Sequence, residues 1–288
     1  MALVTGPVAD WVRQVAGTHD PRVGPSTPVA QFTTPEVITR PSHPGAVRTY
    51  VCGGCAVKIH ASDIEPAVLA RRLEVIDGPE LDRFWMHPLT RGFYPAPGGG
   101  VGTMWPRVTL VSTIEHPPWA DAGALLARLH TAPVDPKLPP HGGVGRFRQA
   151  VEMARALEGY GWLADLGETL VDRIIPAERP TLVHGSWHLG HIGHPLLSKR
   201  WRLLDPDLLG LGNPGWDLAM PAGYQAAGLL ADEDWEAFLG GYRELGGVFD
   251  AEESRDLVRA ALFIAAVREL TVPDGGKATT LLAALQVG

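Results

Sequence analysis

The chain has 288 residues, 45% of them apolar, enough to build one large domain or two lobes that share a cleft. Its formal charge of -7 and pI near 5.9 argue against a protein that holds nucleic acid on a broad basic surface, whereas a nucleotide needs only a few local cations. No positively charged region precedes a long apolar run at the N-terminus, and no window approaches a membrane span, so a soluble cytoplasmic protein is expected, with no membrane partner.

The first 45 residues are rich in Pro, Thr and Val and read as short strands and connections, with Pro28 to Thr33 and Glu36 to Arg40 as the β-like stretches. Ala46 to Cys52 and Cys55 to Ala61 are β-branched-rich runs separated by Gly53-Gly54, which signals a hairpin. The C-G-G-C spacing of Cys52 and Cys55 admits a redox pair or half of a metal site. Zinc needs two further ligands, however, and a reactive pair belongs at a helix N-terminus, so two small residues in a turn is the preferred reading.

Ile64, Val68, Leu69, Leu73 and Ile76 then trace the apolar stripe of a helix. After a Gly/Pro-rich break at Tyr94 to Gly102, Val108 to Ser112 reads as a strand and Glu115 to Pro118 as a connector. Beyond it helices dominate, at Ala122 to His130, Arg148 to Leu166 and Trp235 to Leu285. There is no internal repeat and no low-complexity tract.

Two apolar runs among the helices, Thr181 to Val183 and Trp201 to Leu204, deliver polar residues at their ends. The second ends in Asp205-Pro206-Asp207, a pair of carboxylates that suits a hard cation such as magnesium better than zinc. His184, His188, His191 and His194 have spacings that on a helix would converge on a metal, but Gly185, Gly190 and Gly193 disfavour a regular helix there; loop packing is the competing role.

The segment H-G-S-W-H-L-G-H from His184 to His191 resembles the catalytic loop H-G-D-x-H-x-G-N of the aminoglycoside phosphotransferase family. L-D-P-D-L-L-G-L-G-N-P-G-W-D-L-A from Leu204 to Ala219 resembles that family's metal-binding segment and its downstream G-D-P-x-x-D-L-A. His184, Gly185, His188, Gly190, Asp205, Asp217, Leu218 and Ala219 carry the match, and Ala124 to His130 is similar to the first helix of the family's C-terminal lobe.

The resemblance implies an α+β, bilobal protein-kinase-like fold, with residues 1–116 as a β-rich nucleotide-binding lobe and 117–288 as a mainly helical lobe with the catalytic loop and acceptor site. It also implies ATP or another nucleoside triphosphate and Mg²⁺ as cofactors. Gly53-Gly54 would cover the phosphates, Lys58 would contact them, and Glu74, or failing it Glu65, would hold that lysine. Asp205 would bind Mg²⁺, with Asp207 assisting or capping a turn. His184 would brace the loop and Asp217 would order it.

Two positions depart from the pattern. Ser186 stands where the family carries its catalytic aspartate, and His191 where it usually carries the asparagine that binds the second metal. A serine hydroxyl does not take up a proton near neutral pH as a carboxylate does, and imidazole is a poorer match to Mg²⁺ than an amide oxygen.

Three readings stand open: a phosphotransferase with a relocated base such as His188, a degenerate kinase fold that binds a ligand or protein partner in a biosynthetic assembly, and an introduced substitution at Ser186. The acceptor is expected to be a hydroxyl of a small molecule, aminoglycoside-like or another natural product, or of a peptide. The acidic run Asp232 to Glu236 suits either a cationic acceptor or a solvated helix start.

Overall fold

A computed structural model describes residues 2–3, 6–18, 36–37, 47–111, 114–174, 176–272 and 276–287. The chain divides into two compact units, one formed by Met1–Leu110 with Gly193–Asp207, the other by Val111–Ile192 with Leu208–Gly288.

The first unit is built on an antiparallel sheet of six strands, β1 (Ala2–Leu3), β2 (Glu36–Val37), β3 (Arg48–Cys52), β4 (Cys55–Ile59), β5 (Tyr94–Pro95) and β6 (Val101–Pro106), in the order β1-β2-β3-β4-β6-β5. Strands β3 and β4 form the expected hairpin, Cys52 opposite Cys55, and Gly53 at φ 61° supplies the left-handed first turn residue that a two-residue connection needs. Both cysteines are buried in the core on either side of the turn.

Helix α1 (Pro7–Gly17) corrects the expectation of strands and connections for the first 45 residues. Proline at its N-terminus is preset for a helix, and Val12, Val15 and Ala16 fall on one face, which covers Tyr50, Val57, Ile59 and Met104 of the sheet. Pro28 to Thr33 lies outside the described residues.

Helix α2 (Pro66–Ile76) follows β4 and buries Leu69, Arg72, Leu73 and Ile76. A second, three-stranded sheet completes the unit: β7 (Val108–Leu110) pairs with β9 (Ile192–Pro195), Thr109 opposite His194, and β9 in turn with β10 (Arg202–Leu203).

The second unit is helical: α3 (Trp119–Thr131), α4 (Gly143–Arg155), α5 (Gly161–Arg173), α6 (Gly215–Ala226), α7 (Asp232–Glu244), α8 (Arg255–Thr271) and α9 (Ala278–Val287). A two-stranded ribbon, β8 (Thr181–Val183) with β11 (Gly210–Gly212), sets Val183 opposite Gly210. Helix α8 runs through the core and buries Leu257, Leu262, Phe263 and Val267 against Phe147, Leu163, Leu170 and Trp216. Each large apolar side chain so placed contributes roughly 1.5–3 kcal/mol relative to exposure.

Helices α3 and α7 approach closely because glycine faces backbone at two points: a Cβ on Gly123 would overlap the Phe238 carbonyl, and one on Gly241 the Ala120 carbonyl. Gly123→Ala is therefore expected to lower the stability of the second unit by about 1–3 kcal/mol, the usual cost of overpacking, read as a lower urea midpoint. Gly240→Ala, next to Gly241 on α7 but with open space around the added methyl, is expected to be neutral or mildly stabilising in the same assay.

Candidate functional site

In the first unit, the pleat of β4 sorts its side chains onto two faces. Cys55, Val57 and Ile59 enter the apolar core, which leaves Lys58, and His60 just past the strand end, on the opposite face. Register with β6 places Lys58 across from Thr103 on that face. Asp205 and Asp207, at the end of Gly193–Asp207, belong to the same unit and complete a buried ionic cluster.

Lys58 Nζ donates to Asp205 Oδ1 at 2.6 Å and lies 2.8 Å from Asp207 Oδ1. The second contact is an ion pair rather than an aligned hydrogen bond, since Asp207 Oδ1 has no hydrogen-bond partner of good geometry. The other oxygen, Oδ2, accepts from His60 Nδ1 at 2.9 Å; an ionised carboxylate only accepts, so the ring nitrogen supplies the proton. Across the ring, His60 Nε2 is 2.7 Å from the Thr103 hydroxyl, which itself accepts the Trp105 indole N–H at 2.7 Å. Arg72, from the inward face of α2, donates to the backbone carbonyl of Asp207.

Burial alone would raise the Asp207 carboxyl, but the charges of His60 and Lys58 hold it below its ordinary value. Burial likewise pulls Lys58 down, and the two aspartates more than reverse this. Asp205 differs from its neighbour: its side chain is 26% exposed, and its φ of 60° is the one positive value at a non-glycine among the described residues. A left-handed aspartate is tolerated better than most residues but still carries strain, and such strain collects at ligand sites.

The lysine's expected partner is corrected. Glu74 lies on the outer face of α2, 66% exposed at its side chain, and its carboxylate accepts from Arg71 at 2.8 Å. The inward face of that turn carries Arg72, a cation that cannot pair with Lys58. Glu65, at the exposed start of the helix, does not hold it either; Asp205 and Asp207 do.

In the second unit, β8 runs directly into the glycine-rich loop. Gly185 has φ 83°, and a Cβ there would overlap the Leu208 carbonyl, so the turn admits only glycine. Asp217, in the first turn of α6, accepts the backbone N–H groups of His184 at 2.6 Å and Gly185 at 2.9 Å, while Trp216 donates its indole N–H to the Gly185 carbonyl at 3.0 Å. His130 of α3 reaches Asp217 Oδ2 at 3.1 Å with one ring nitrogen and the Tyr242 hydroxyl at 2.7 Å with the other. Burial and the Asp217 charge both push the Tyr242 phenol well above its ordinary value.

Past this clamp, Ser186 is partly exposed and Trp187 turns into the core against Phe238. His188 accepts the Gly190 N–H through Nδ1 and so starts the short 3₁₀ turn Leu189–His191. His191 stacks on His184 at 5.1 Å between ring centroids and lies 3.8 Å from the His188 ring. These rings pack against one another, and among the described residues no group of three or more His, Cys, Asp or Glu side chains is arranged to hold a metal ion.

Sequence reasoning missed His60, Arg72 and Thr103. The period-2 alternation from Lys58 marks His60 and the helical stripe from Leu69 to Ile76 marks Arg72, but Thr103 has no local signal.

With this geometry in place, comparison with known proteins is informative. Residues 118–258 match the model of the phosphotransferase enzyme family, APH. Solved structures extend the likeness across the chain at the level of fold. A choline/ethanolamine kinase family protein from Mesorhizobium loti is 14% identical with TM-score 0.60, over 98% of this chain and 100% of that one. The spectinomycin phosphotransferase APH(9)-Ia, in complex with ADP and spectinomycin, is 13% identical with TM-score 0.58 over 89% of each chain. Aminoglycoside phosphotransferase APH(3'')-Id from Streptomyces rimosus, in complex with ADP and streptomycin, is 18% identical with TM-score 0.56 over 80% of this chain and 92% of that one. No curated protein matches the sequence. The fold is thus that of the kinase-like phosphotransferases, and residues 118–258 are similar to the phosphotransferase enzyme family.

The Asp217 clamp sets a pH dependence. Burial would raise this carboxyl, but the hydrogen bond and charge of His130, with the charge and backbone N–H of His184, hold it below its ordinary 3.8. A depressed carboxylate contributes stability that is fully present above the unfolded-state pKa and is lost as pH falls through the folded-state value. Asp217→Asn is therefore expected to lower unfolding stability at pH 7 by about 1–3 kcal/mol, the cost of leaving buried donors poorly matched. That deficit relative to wild type is expected to shrink below pH 3.8.

Proposed function

We propose that the chain binds a nucleoside triphosphate through Lys58 and Asp205 and is a phosphotransferase-like protein directed at a hydroxyl of a small molecule. The observation that carries this reading is Lys58, a buried ammonium on a strand beside a glycine turn, paired with an aspartate that is itself partly open to solvent. A phosphate oxygen is a natural replacement for Asp205 as the lysine's partner, because both are hard, anionic acceptors. The spectinomycin and streptomycin enzymes that share the fold hold ADP, which favours a nucleotide here, and the small molecules bound with it favour a small-molecule acceptor over a peptide.

The donor chemistry of Asp205 fits Mg²⁺: a carboxylate whose side chain is about a quarter exposed, with an electrostatic environment set by Lys58. Mg²⁺ bound there would neutralise charge on the phosphate oxygens. The chain's own residues do the rest of the positioning. Lys58 orients the phosphates, and the clamp by Asp217 and Trp216 fixes His184 and Gly185, so the residues that follow are presented from a rigid turn.

Ser186 weakens the acceptor half of the reaction. Its hydroxyl provides no negative charge to orient the acceptor and takes no proton from it, so transfer relies on positioning alone. A second reading, a binding protein with no turnover, is favoured by this same residue.

Titration calorimetry separates the readings from an unrelated role. Wild type is expected to bind ATP with Mg²⁺, and Lys58→Ala to weaken that binding about tenfold or more, the range for losing a charge-assisted contact. Absence of nucleotide binding by the intact protein overturns both readings. Ser186→Asp is expected to raise phosphoryl transfer or ATP hydrolysis by roughly 10²–10⁴-fold, the usual contribution of a positioned acid–base group. Unchanged turnover in a variant that still binds nucleotide favours the binding-only reading.

A further inference from the structure

The cluster in the first unit assigns different duties to the two aspartates of D-P-D. Building on the nucleotide reading above, we propose that Asp207 is the anchor of Lys58 and not a metal ligand, taking the place that a helix carboxylate would fill. Asp205 alone then faces the metal.

Both oxygens of the Asp207 carboxylate meet side-chain nitrogens, Oδ2 hydrogen-bonded to His60 Nδ1 at 2.9 Å and Oδ1 ion-paired with Lys58 Nζ at 2.8 Å, and the side chain is 9% exposed. A divalent cation at Asp207 would have to displace one of these groups and sit among the positive charges of Lys58 and Arg72. At Asp205 the conditions are reversed: the carboxylate is more open, its backbone is held in an uncommon conformation, and its tie to Lys58 is one that a phosphate can take over.

The arrangement explains why α2 presents a cation. Were Arg72 a carboxylate, it would approach Asp207 and add a third negative charge to a buried group of two. As an arginine, it instead donates to the Asp207 carbonyl and fixes the backbone from which the anchor projects. Thr103 and Trp105 steady His60 from the other side, so the carboxylate is braced by the sheet and the helix together. When Asp205 turns to a metal and Lys58 to a phosphate, Asp207 keeps the ammonium in place.

Affinities for ADP measured by calorimetry, once in EDTA and once in Mg²⁺, test the division, with adenosine as the phosphate-free control. Asp207→Asn is expected to weaken ADP by about tenfold in both conditions and leave adenosine within about twofold. A merely structural lesion would weaken both ligands. Asp205→Asn is expected to keep the EDTA affinity for ADP and lose the gain from Mg²⁺.

A loss confined to Mg²⁺ for Asp207→Asn would make Asp207 a metal ligand and overturn the proposal. Glu74→Gln, a surface change that leaves the fold undisturbed, keeps the proposal testable if Asp207→Asn does not fold: unaltered ADP affinity supports it, and a tenfold loss overturns it. Wild type that binds adenosine but not ADP contradicts the anchor role alone. Wild type that binds neither removes the nucleotide reading itself.

Discussion

Burying the carboxylate of Asp207 commits much of the first unit. An ionised group taken out of water costs several kcal/mol unless its oxygens are met by donors and its charge is balanced nearby. Here the donors come from separate elements: Lys58 from β4, His60 from just beyond that strand, and Arg72 from α2 by way of the backbone carbonyl. The phase of the strand and the rotation of the helix are therefore tied to the same point. A shift of β4 by one residue would send Lys58 into the apolar face that α1 covers and leave the carboxylate unbalanced.

The second unit solves a similar problem with different partners. Asp217 is buried as deeply, but it is answered by two backbone N–H groups and a histidine, so the charge is spent on holding a loop. Backbone donors are short and fixed, and with Trp216 closing on the Gly185 carbonyl they leave the turn after β8 little freedom. The clamp acts at His184 and Gly185, ahead of residue 186. A change of side chain at Ser186 therefore leaves these ties of the turn intact and alters what the turn presents.

Much of this was readable before any coordinates. Gly53-Gly54 between two β-branched runs identifies the β3–β4 hairpin, and helical segments of the second unit are legible within 122–130, 148–166 and 235–285. The spaced motifs around His184 and Asp205 point to the fold that the solved structures share. Helix α1 was hidden by the prolines and β-branched residues of its surroundings, although Val12, Val15 and Ala16 keep a helical spacing. Glu74 failed as the lysine's partner for a reason of phase: Leu69, Leu73 and Ile76 define a stripe that includes position 72 and turns 74 outward. The pairings β7 with β9 and β8 with β11 join strands of three or four residues that are distant in sequence, too short for composition to mark their partners.

The buried groups and the exposed ones carry different information about function. Lys58, Asp207, Arg72 and Asp217 are bound into networks whose disruption would leave buried charges or donors unmatched, so folding alone is enough reason for their presence. Asp205 stands apart. Its partly exposed side chain and left-handed backbone bring strain that a glycine or asparagine would relieve more easily, and its hydrogen bond to Lys58 adds a second anion to an ammonium that Asp207 already balances. Stability offers little reason for a carboxylate in that conformation, whereas a cation and a phosphate arriving together would use both the partly exposed carboxylate and the released lysine. The case for a nucleotide therefore rests more firmly on Asp205 than on the buried residues around it.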